Sequence, residues 1–216
     1  MIVTVHQPNL FPWLGFFDKM AKADLFIFLD NVQFTKRGYQ NRVKVKSPHG
    51  GQWLTVPVIS KGRAYQITNE VEIDNSREWK KDHLVTLELL YRGTKNFDDV
   101  FKQLHDLYQD DADRLIDFTT KGIHLIQENL SIKTKTIYGS SLNAEGSNSQ
   151  LITNLVKEVG GTVYLSGPSG RNYLDEQIFQ NENVKVEYHE FQEEIYPQKY
   201  NDFVGGLSTL DYMFNV

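Results

Sequence analysis

Leu25-Phe26-Ile27-Phe28-Leu29 is a run of five apolar residues without a polar break, closed by Asp30-Asn31. A run this short and uniform suits a strand covered on both faces, which calls for a parallel sheet with helices above and below it. Upstream, Ile2-Val3-Thr4-Val5 is a β-branched stretch that reads as another strand, and residues 15–23 carry Phe16, Phe17 and Met20 at helical spacing. Strand, helix and strand within about 30 residues make a βαβ unit, whose crossover sets its two strands parallel. The fold expected is α/β, with an open, mostly parallel, Rossmann-like sheet.

Farther along, residues 42–46 alternate around Val43 and Val45, residues 53–58 form a second β-prone run, and Ser47-Pro48-His49-Gly50-Gly51 lies between them. This predicts an antiparallel hairpin, with 71–74 as one more edge strand. From residue 77 to residue 130 the period becomes helical, and three helices are the plain reading. Helix 149–159, strand 162–165, helix 175–181 and strand 184–188 then resume the βα alternation. The expected organisation is one α/β domain over residues 1–216, with 77–130 as a helical insertion.

Composition narrows the function classes. With 40% hydrophobic and 24% charged residues the chain is expected to fold, and with no cysteine it offers no disulfide, thiolate zinc site or cysteine nucleophile. No apolar run approaches the roughly 20 residues of a membrane span, and Met1-Ile2-Val3 enters a strand without a signal peptide, so a cytoplasmic protein without membrane insertion is expected. A net charge of -5 speaks against nucleic acid as a partner. The charge is nonetheless uneven: residues 31–69 contain no Asp or Glu but include Lys36, Arg37, Arg42, Lys44, Lys46, Lys61 and Arg63. Either a solvated face or an anion-binding wall accounts for that stretch.

Ligands of open parallel sheets bind beyond the carboxyl ends of the strands. Three strand ends carry polar clusters here: His6-Gln7-Pro8-Asn9, Asp30-Asn31-Val32-Gln33, and Ser166-Gly167-Pro168-Ser169-Gly170-Arg171. His6 reads as a general acid or base or as a structural histidine, with Gln7 and Asn9 able to read hydroxyls or amides. Asp30 is open to orienting His6, holding a metal, accepting a substrate amine or hydroxyl, or capping its turn. Pro12-Trp13-Leu14-Gly15 opens the first helix: Gly15 permits close backbone approach, and Trp13 is either a stacking surface or core. Lys19, one turn later, is a phosphate contact or an exposed lysine. The 166–174 turn could cradle phosphate with Arg171, or simply join a strand to a helix; it matches neither Walker A nor Gly-x-Gly-x-x-Gly. No metal-ligand spacing appears.

The runs from His6-Gln7-Pro8-Asn9 through Phe11-Pro12-Trp13-Leu14-Gly15-Phe16 and Lys19, Phe28 to Phe34 with Gln33, Asn41-Arg42, Trp53 to Pro57, Tyr164 to Gly167, Tyr173-Leu174, Tyr196-Pro197-Gln198, and Leu207-Ser208 with Asp211 together resemble the WbqC-like protein family. The resemblance covers nearly the whole chain. It implies bacterial surface-polysaccharide or O-antigen biosynthesis and a nucleotide-linked sugar or amino sugar as substrate. The chain's opening is also similar to the nucleotidylyltransferase superfamily, pantothenate synthetases in particular, which implies ATP with magnesium and transfer of an activated acyl group to an amine. Where that superfamily reads His-x-Gly-His this chain reads Trp13-Leu14-Gly15-Phe16, so His6 and Lys19 would have to stabilise the transition-state charge. The expected function is a transferase with His6, Asp30 and Lys19 as catalytic groups. Gln7, Asn9, Trp13, Gly15, Gln33, Arg42, Ser166, Gly167, Arg171 and Tyr173 are the expected binding residues. The alternative is a non-catalytic nucleotide- or sugar-binding scaffold module, and the oligomeric state, a homodimer included, stays open.

Overall fold

The computed structural model describes residues 1–200 and 202–216. In chain order its elements are β1 (Ile2–His6), α1 (Leu14–Ala21), β2 (Leu25–Phe28), β3 (Arg42–Ser47), β4 (Gly50–Thr55), α2 (Trp79–Tyr91), α3 (Phe97–Tyr108), α4 (Leu115–Asn129), β5 (Lys135–Tyr138), α5 (Asn148–Glu158), β6 (Val163–Ser166), α6 (Glu176–Asn181), β7 (Lys185–Tyr188) and α7 (Thr209–Asn215). They belong to two compact units. The first is Met1–Gln7, Gly15–Asn31 and Ile132–Gln192; the second is Pro8–Leu14, Val32–Ser131 and Glu193–Val216. Among the described residues, no helix is long and apolar enough to cross a membrane.

The first unit is built on a five-stranded sheet of order β5-β2-β1-β6-β7, every pairing parallel. Counted along the chain, its strands run third-second-first-fourth-fifth, the doubly wound order whose direction of winding reverses between the first and fourth strands, here β1 and β6. The apolar run in β2 is fully enclosed, with Phe26, Ile27 and Phe28 all at 0% exposure. Burial on both faces is what its uniform sequence predicted. The inner residues of β1 are buried too, and Thr4 makes its place there tolerable by donating its hydroxyl to the Leu165 carbonyl at 2.8 Å. Against the sheet lie Phe16, Phe17 and Met20 of α1 and Leu155 and Val156 of α5, all buried.

Three local features differ from the sequence expectation. Strand β5 pairs with β2 at the sheet edge, but its Lys135-Thr136-Ile137-Tyr138 has no continuous apolar signal because an edge strand is only partly covered. Residues 71–74 form no strand: Ile73 and Glu72 make isolated bridges to Val58 and Arg114. The hairpin turn is tighter than expected, since Ser47 pairs with Gly50 and only Pro48-His49 lies between. Strand β4 therefore starts at Gly50 and stops at Thr55, short of Pro57, which has no N–H to donate.

The second unit packs the β3–β4 hairpin with α2, α3, α4 and α7. Trp79, Tyr108 and Phe118 form a buried aromatic cluster, their rings 5.0 to 5.8 Å apart, joined by Phe11 at 6.0 Å from Phe118. Asp211 of α7, at 0% exposure, is the polar centre of this unit. Tyr91 donates its hydroxyl to one carboxylate oxygen at 2.8 Å, and Tyr196 donates to the other at 2.9 Å. The Lys46 backbone N–H in turn donates to the Tyr91 oxygen at 2.9 Å, so one carboxylate ties together β3, α2, α7 and the segment before α7. Burial pushes the Asp211 carboxyl above the ordinary range, and hydrogen bonds from Tyr91, Tyr196 and Gln198 offset part of that penalty.

Leaving a buried hydroxyl without an acceptor costs roughly 1–3 kcal/mol. Asp211→Ala strands two of them and is expected to destabilise the protein by about 3 kcal/mol or more. Tyr196→Phe removes one donor while keeping the ring, and should cost about 1 kcal/mol. Urea denaturation of the two variants beside the wild type checks both the order and the size.

Candidate functional site

Beyond the carboxyl ends of β1 and β6 the winding reversal leaves a crevice-forming position, and these two strands end in His6 and Ser166. Helix α1 follows β1 and turns Gly15, Phe16, Phe17, Lys19 and Met20 inward. Residues 16, 19 and 20 share one helical face, so the spacing that buries Phe16 and Met20 carries Lys19 with them. Lys19 is 3% exposed, and among the described residues no carboxylate or hydrogen-bond acceptor is paired with it. Burial accordingly pushes its ammonium down to about 7.

His6 lies edge-on to Phe16, the ring centroids 5.0 Å apart, with Nδ1 2.8 Å from the Gln7 carbonyl oxygen. A carbonyl only accepts, so Nδ1 carries the proton and Nε2 keeps its lone pair. Burial and the Lys19 charge push its pKa down to about 3, against the smaller opposing effect of the Gln7 carbonyl. His6 is thus a neutral imidazole at neutral pH, able to accept a proton rather than donate one. Asp30, 2% exposed, accepts the Ser140 N–H at 2.8 Å and the Ser140 hydroxyl at 2.5 Å, fastening the turn that follows β5. Its neighbour Asn31 has a buried Oδ1 that meets no donor.

The 166–174 turn is held by close packing. Ser166 is fully buried and donates to the Gly167 carbonyl at 3.1 Å. A Cβ at position 170 would stand 2.1 Å from the Ser166 oxygen, so only glycine fits there. Arg171 is already engaged, its guanidinium 4.1 Å from the Tyr188 ring centroid and 3.7 Å from Glu190, while Tyr173 is 62% exposed. The sequence reading missed a pair in this unit: His189, just past β7, places Nε2 2.5 Å from Asp18 of α1. Burial opposes ionisation of Asp18, but hydrogen bonds from Lys22 and His189 outweigh it and hold the carboxyl below its usual range. The rule that flagged His6, a histidine immediately after a strand, also fits His189.

The expected site residues divide between the units. His6, Gln7, Gly15, Lys19, Asp30, Ser166, Gly167, Arg171 and Tyr173 belong to the first; Asn9, Trp13, Gln33 and Arg42 belong to the second. Within the second, Trp13 bridges to Ser208, Gln33 bridges to Ile67, and Arg42 lies on β3. Two surface cavities of about 620 and 440 Å³ also belong to the second unit and contain none of these residues. Among the described residues no group of three or more His, Asp or Glu side chains is placed to hold a metal ion.

What the first unit offers chemically is therefore one desolvated cation, one neutral imidazole with a free lone pair, and an unanswered amide oxygen at the carboxyl edge of a doubly wound sheet. No solved structure matches the chain. A relative from Mycobacterium tuberculosis, the uncharacterised protein Rv1507c, is 32% identical over 216 residues, covering 99% of this chain and 93% of its own length. The model of the WbqC-like protein family matches residues 7–216, which include Lys19, Asp30 and the 166–174 turn together with the second unit's Asp211, and the chain belongs to that family.

Proposed function

We propose that the carboxyl edge of the first unit's sheet binds an anionic small molecule, a nucleotide-linked amino sugar of bacterial surface-polysaccharide assembly, and that the protein transfers an acyl or aminoacyl group to it. Lys19 carries this reading. A lysine at 3% exposure with no countercharge among the described residues destabilises the native state, and such a cost is commonly retained where the charge serves a ligand. A phosphate or carboxylate at Lys19 supplies the missing countercharge. Family membership supports a role in polysaccharide biosynthesis, and the doubly wound order supports a ligand at β1 and β6.

In the reaction proposed, a carboxylate attacks the α-phosphorus of ATP and pyrophosphate leaves; magnesium arriving with the ATP would supply further neutralisation of phosphate charge. The sugar amine then attacks the acyl carbon, forming an amide and releasing AMP. Lys19 balances the phosphate charge, and the Nε2 lone pair of His6 accepts a hydrogen from the amine or a hydroxyl. Burial is the larger cause of the low His6 pKa and the Lys19 charge the smaller; an anion at Lys19 would cancel only that smaller part, making His6 a somewhat better base. A non-catalytic binding module is the second reading, favoured by the low basicity of free His6 and by Trp13 and Phe16 standing where paired histidines would act. Turnover of a UDP- or dTDP-amino sugar with ATP, magnesium and a small acid separates the two, since the module binds without product.

Lys19→Met is expected to weaken binding of the UDP-amino sugar at least tenfold in calorimetric titration; unchanged affinity would remove Lys19 from the site. The same variant should be more stable than the wild type at pH 7 by a few kcal/mol, read from urea midpoints, because the unfavourable buried charge is gone.

The pH dependence has a definite sign. The folded Lys19 pKa lies near 7 and the unfolded value near 10.4, so between them the unfolded chain binds more protons and wild-type stability rises with pH relative to Lys19→Met. Affinity for the anion moves the opposite way, present below pH 7 and falling as Lys19 loses its proton. Calorimetric titrations from pH 6 to pH 8.5 check this.

A further inference from the structure

The second unit carries a cluster of side chains that the proposed reaction does not use. On the outer face of the β3–β4 hairpin, Lys44 stands directly across from Trp53, and Arg42 is two residues along the same face. The Arg42 guanidinium lies 4.2 Å from the Trp53 ring centroid and the Lys44 ammonium 5.1 Å from it. Tyr39 completes the patch, its ring 5.7 Å from that of Trp53. Both rings remain open to solvent, Trp53 at 38% and Tyr39 at 56%. Gly51 keeps the arrangement close: a Cβ there would press on the Lys44 stem at 3.1 Å.

The charges in this patch are unspent. Neither Arg42 nor Lys44 forms an ion pair among the described residues, and residues 31–69 contain no acid that could supply one. The Arg42 Nε is buried without a partner, although another of its nitrogens donates to the Arg37 carbonyl. Aromatic contact fixes the cations where a flexible surface lysine or arginine would wander, so less entropy is lost when an anion arrives.

We propose that Tyr39, Arg42, Lys44 and Trp53 form a docking surface for an acidic oligosaccharide. Exposed tryptophan and tyrosine rings offer an apolar face to the C–H side of a pyranose, and the two cations answer its carboxylates with charge-assisted hydrogen bonds. Single-stranded nucleic acid is the rival that shares this chemistry, but it calls for a row of free cations tracking a backbone. Here Lys46, next on the strand, is buried with its ammonium on the Asp202 carbonyl, Arg63 is paired with Glu72, and the whole chain carries -5. The choice of a glycan also rests on the polysaccharide reading proposed above; the stacked, unpaired cations do not.

Galacturonate hexamer, cellohexaose and a ten-residue oligothymidylate serve as probes in titrations of the full chain followed by tryptophan fluorescence and calorimetry. The galacturonate hexamer should bind at least tenfold more tightly than cellohexaose and more tightly than the oligothymidylate. Trp53→Leu and the double variant Arg42→Gln/Lys44→Gln, each checked for native circular dichroism, should each lose at least tenfold in affinity. Lys19→Met should leave this binding unchanged while weakening that of the sugar nucleotide, so the two readings fail separately. No binding of the galacturonate hexamer, equal binding of the neutral hexamer, tighter oligothymidylate binding, or full affinity in both sets of variants overturns the proposal.

Discussion

A lysine ammonium turned inward on a short helix sets the electrostatic condition of the first unit's candidate site. Desolvating a charge costs several kcal/mol unless a counter-ion or a set of acceptors compensates, and Lys19 has neither among the described residues. The consequences reach its neighbour: His6 at the end of β1 feels both burial and the Lys19 charge and stays neutral. The sheet must be stable enough to sustain this strained pair. It has the means, because β1 and β2 are central strands whose inner residues are almost wholly enclosed and whose pairing with β6 and β5 leaves no edge beside the site.

The second unit solves a similar problem in the opposite way. Asp211 is as deeply buried as any residue in the chain, yet both of its oxygens accept tyrosine hydroxyls, and the Lys46 charge acts in its favour. Satisfied on all sides, a buried carboxylate becomes a joint that fixes the positions of several elements at once. Tyr91 illustrates the economy, since its ring stacks on Phe214 at 4.3 Å while its hydroxyl receives one hydrogen bond and gives another.

The parts of this fold that could be read from the sequence are those where one physical demand dominates. Strands β1 and β2 announce themselves because burial on both faces admits only apolar or self-satisfied residues. Strand β5 does not, because an edge strand with Lys135 and Thr136 obeys no such demand. The strand ends at His6, Asp30 and Ser166 were legible as polar groups directly after buried runs, but their roles were not. That Asp30 is spent on Ser140 and that Arg171 is spent on Tyr188 and Glu190 depends on residues distant in sequence. The Asp18–His189 pair was missed for the same reason, 171 residues separating its members. Lys19 was visible only as a lysine one turn into a helix. Its burial follows from the face it shares with Phe16 and Met20, and that face points inward only once the sheet is in place.

Two lysines with the same 3% exposure show how little burial alone says about function. Lys46 gives its ammonium to the Asp202 carbonyl and its charge to the neighbourhood of Asp211, so its burial is compensated within the second unit and needs no ligand to explain it. Lys19 has no such compensation within the first. The distinction is thermodynamic: a compensated charge gains little from a bound anion, whose arrival would displace partners of similar worth, whereas an uncompensated one gains the full Coulombic interaction in a poorly solvated setting. A ligand drawn to the first unit would therefore be selected by charge at Lys19 before any hydrogen bond to Gln7, Asn31 or the 166–174 turn discriminates its shape.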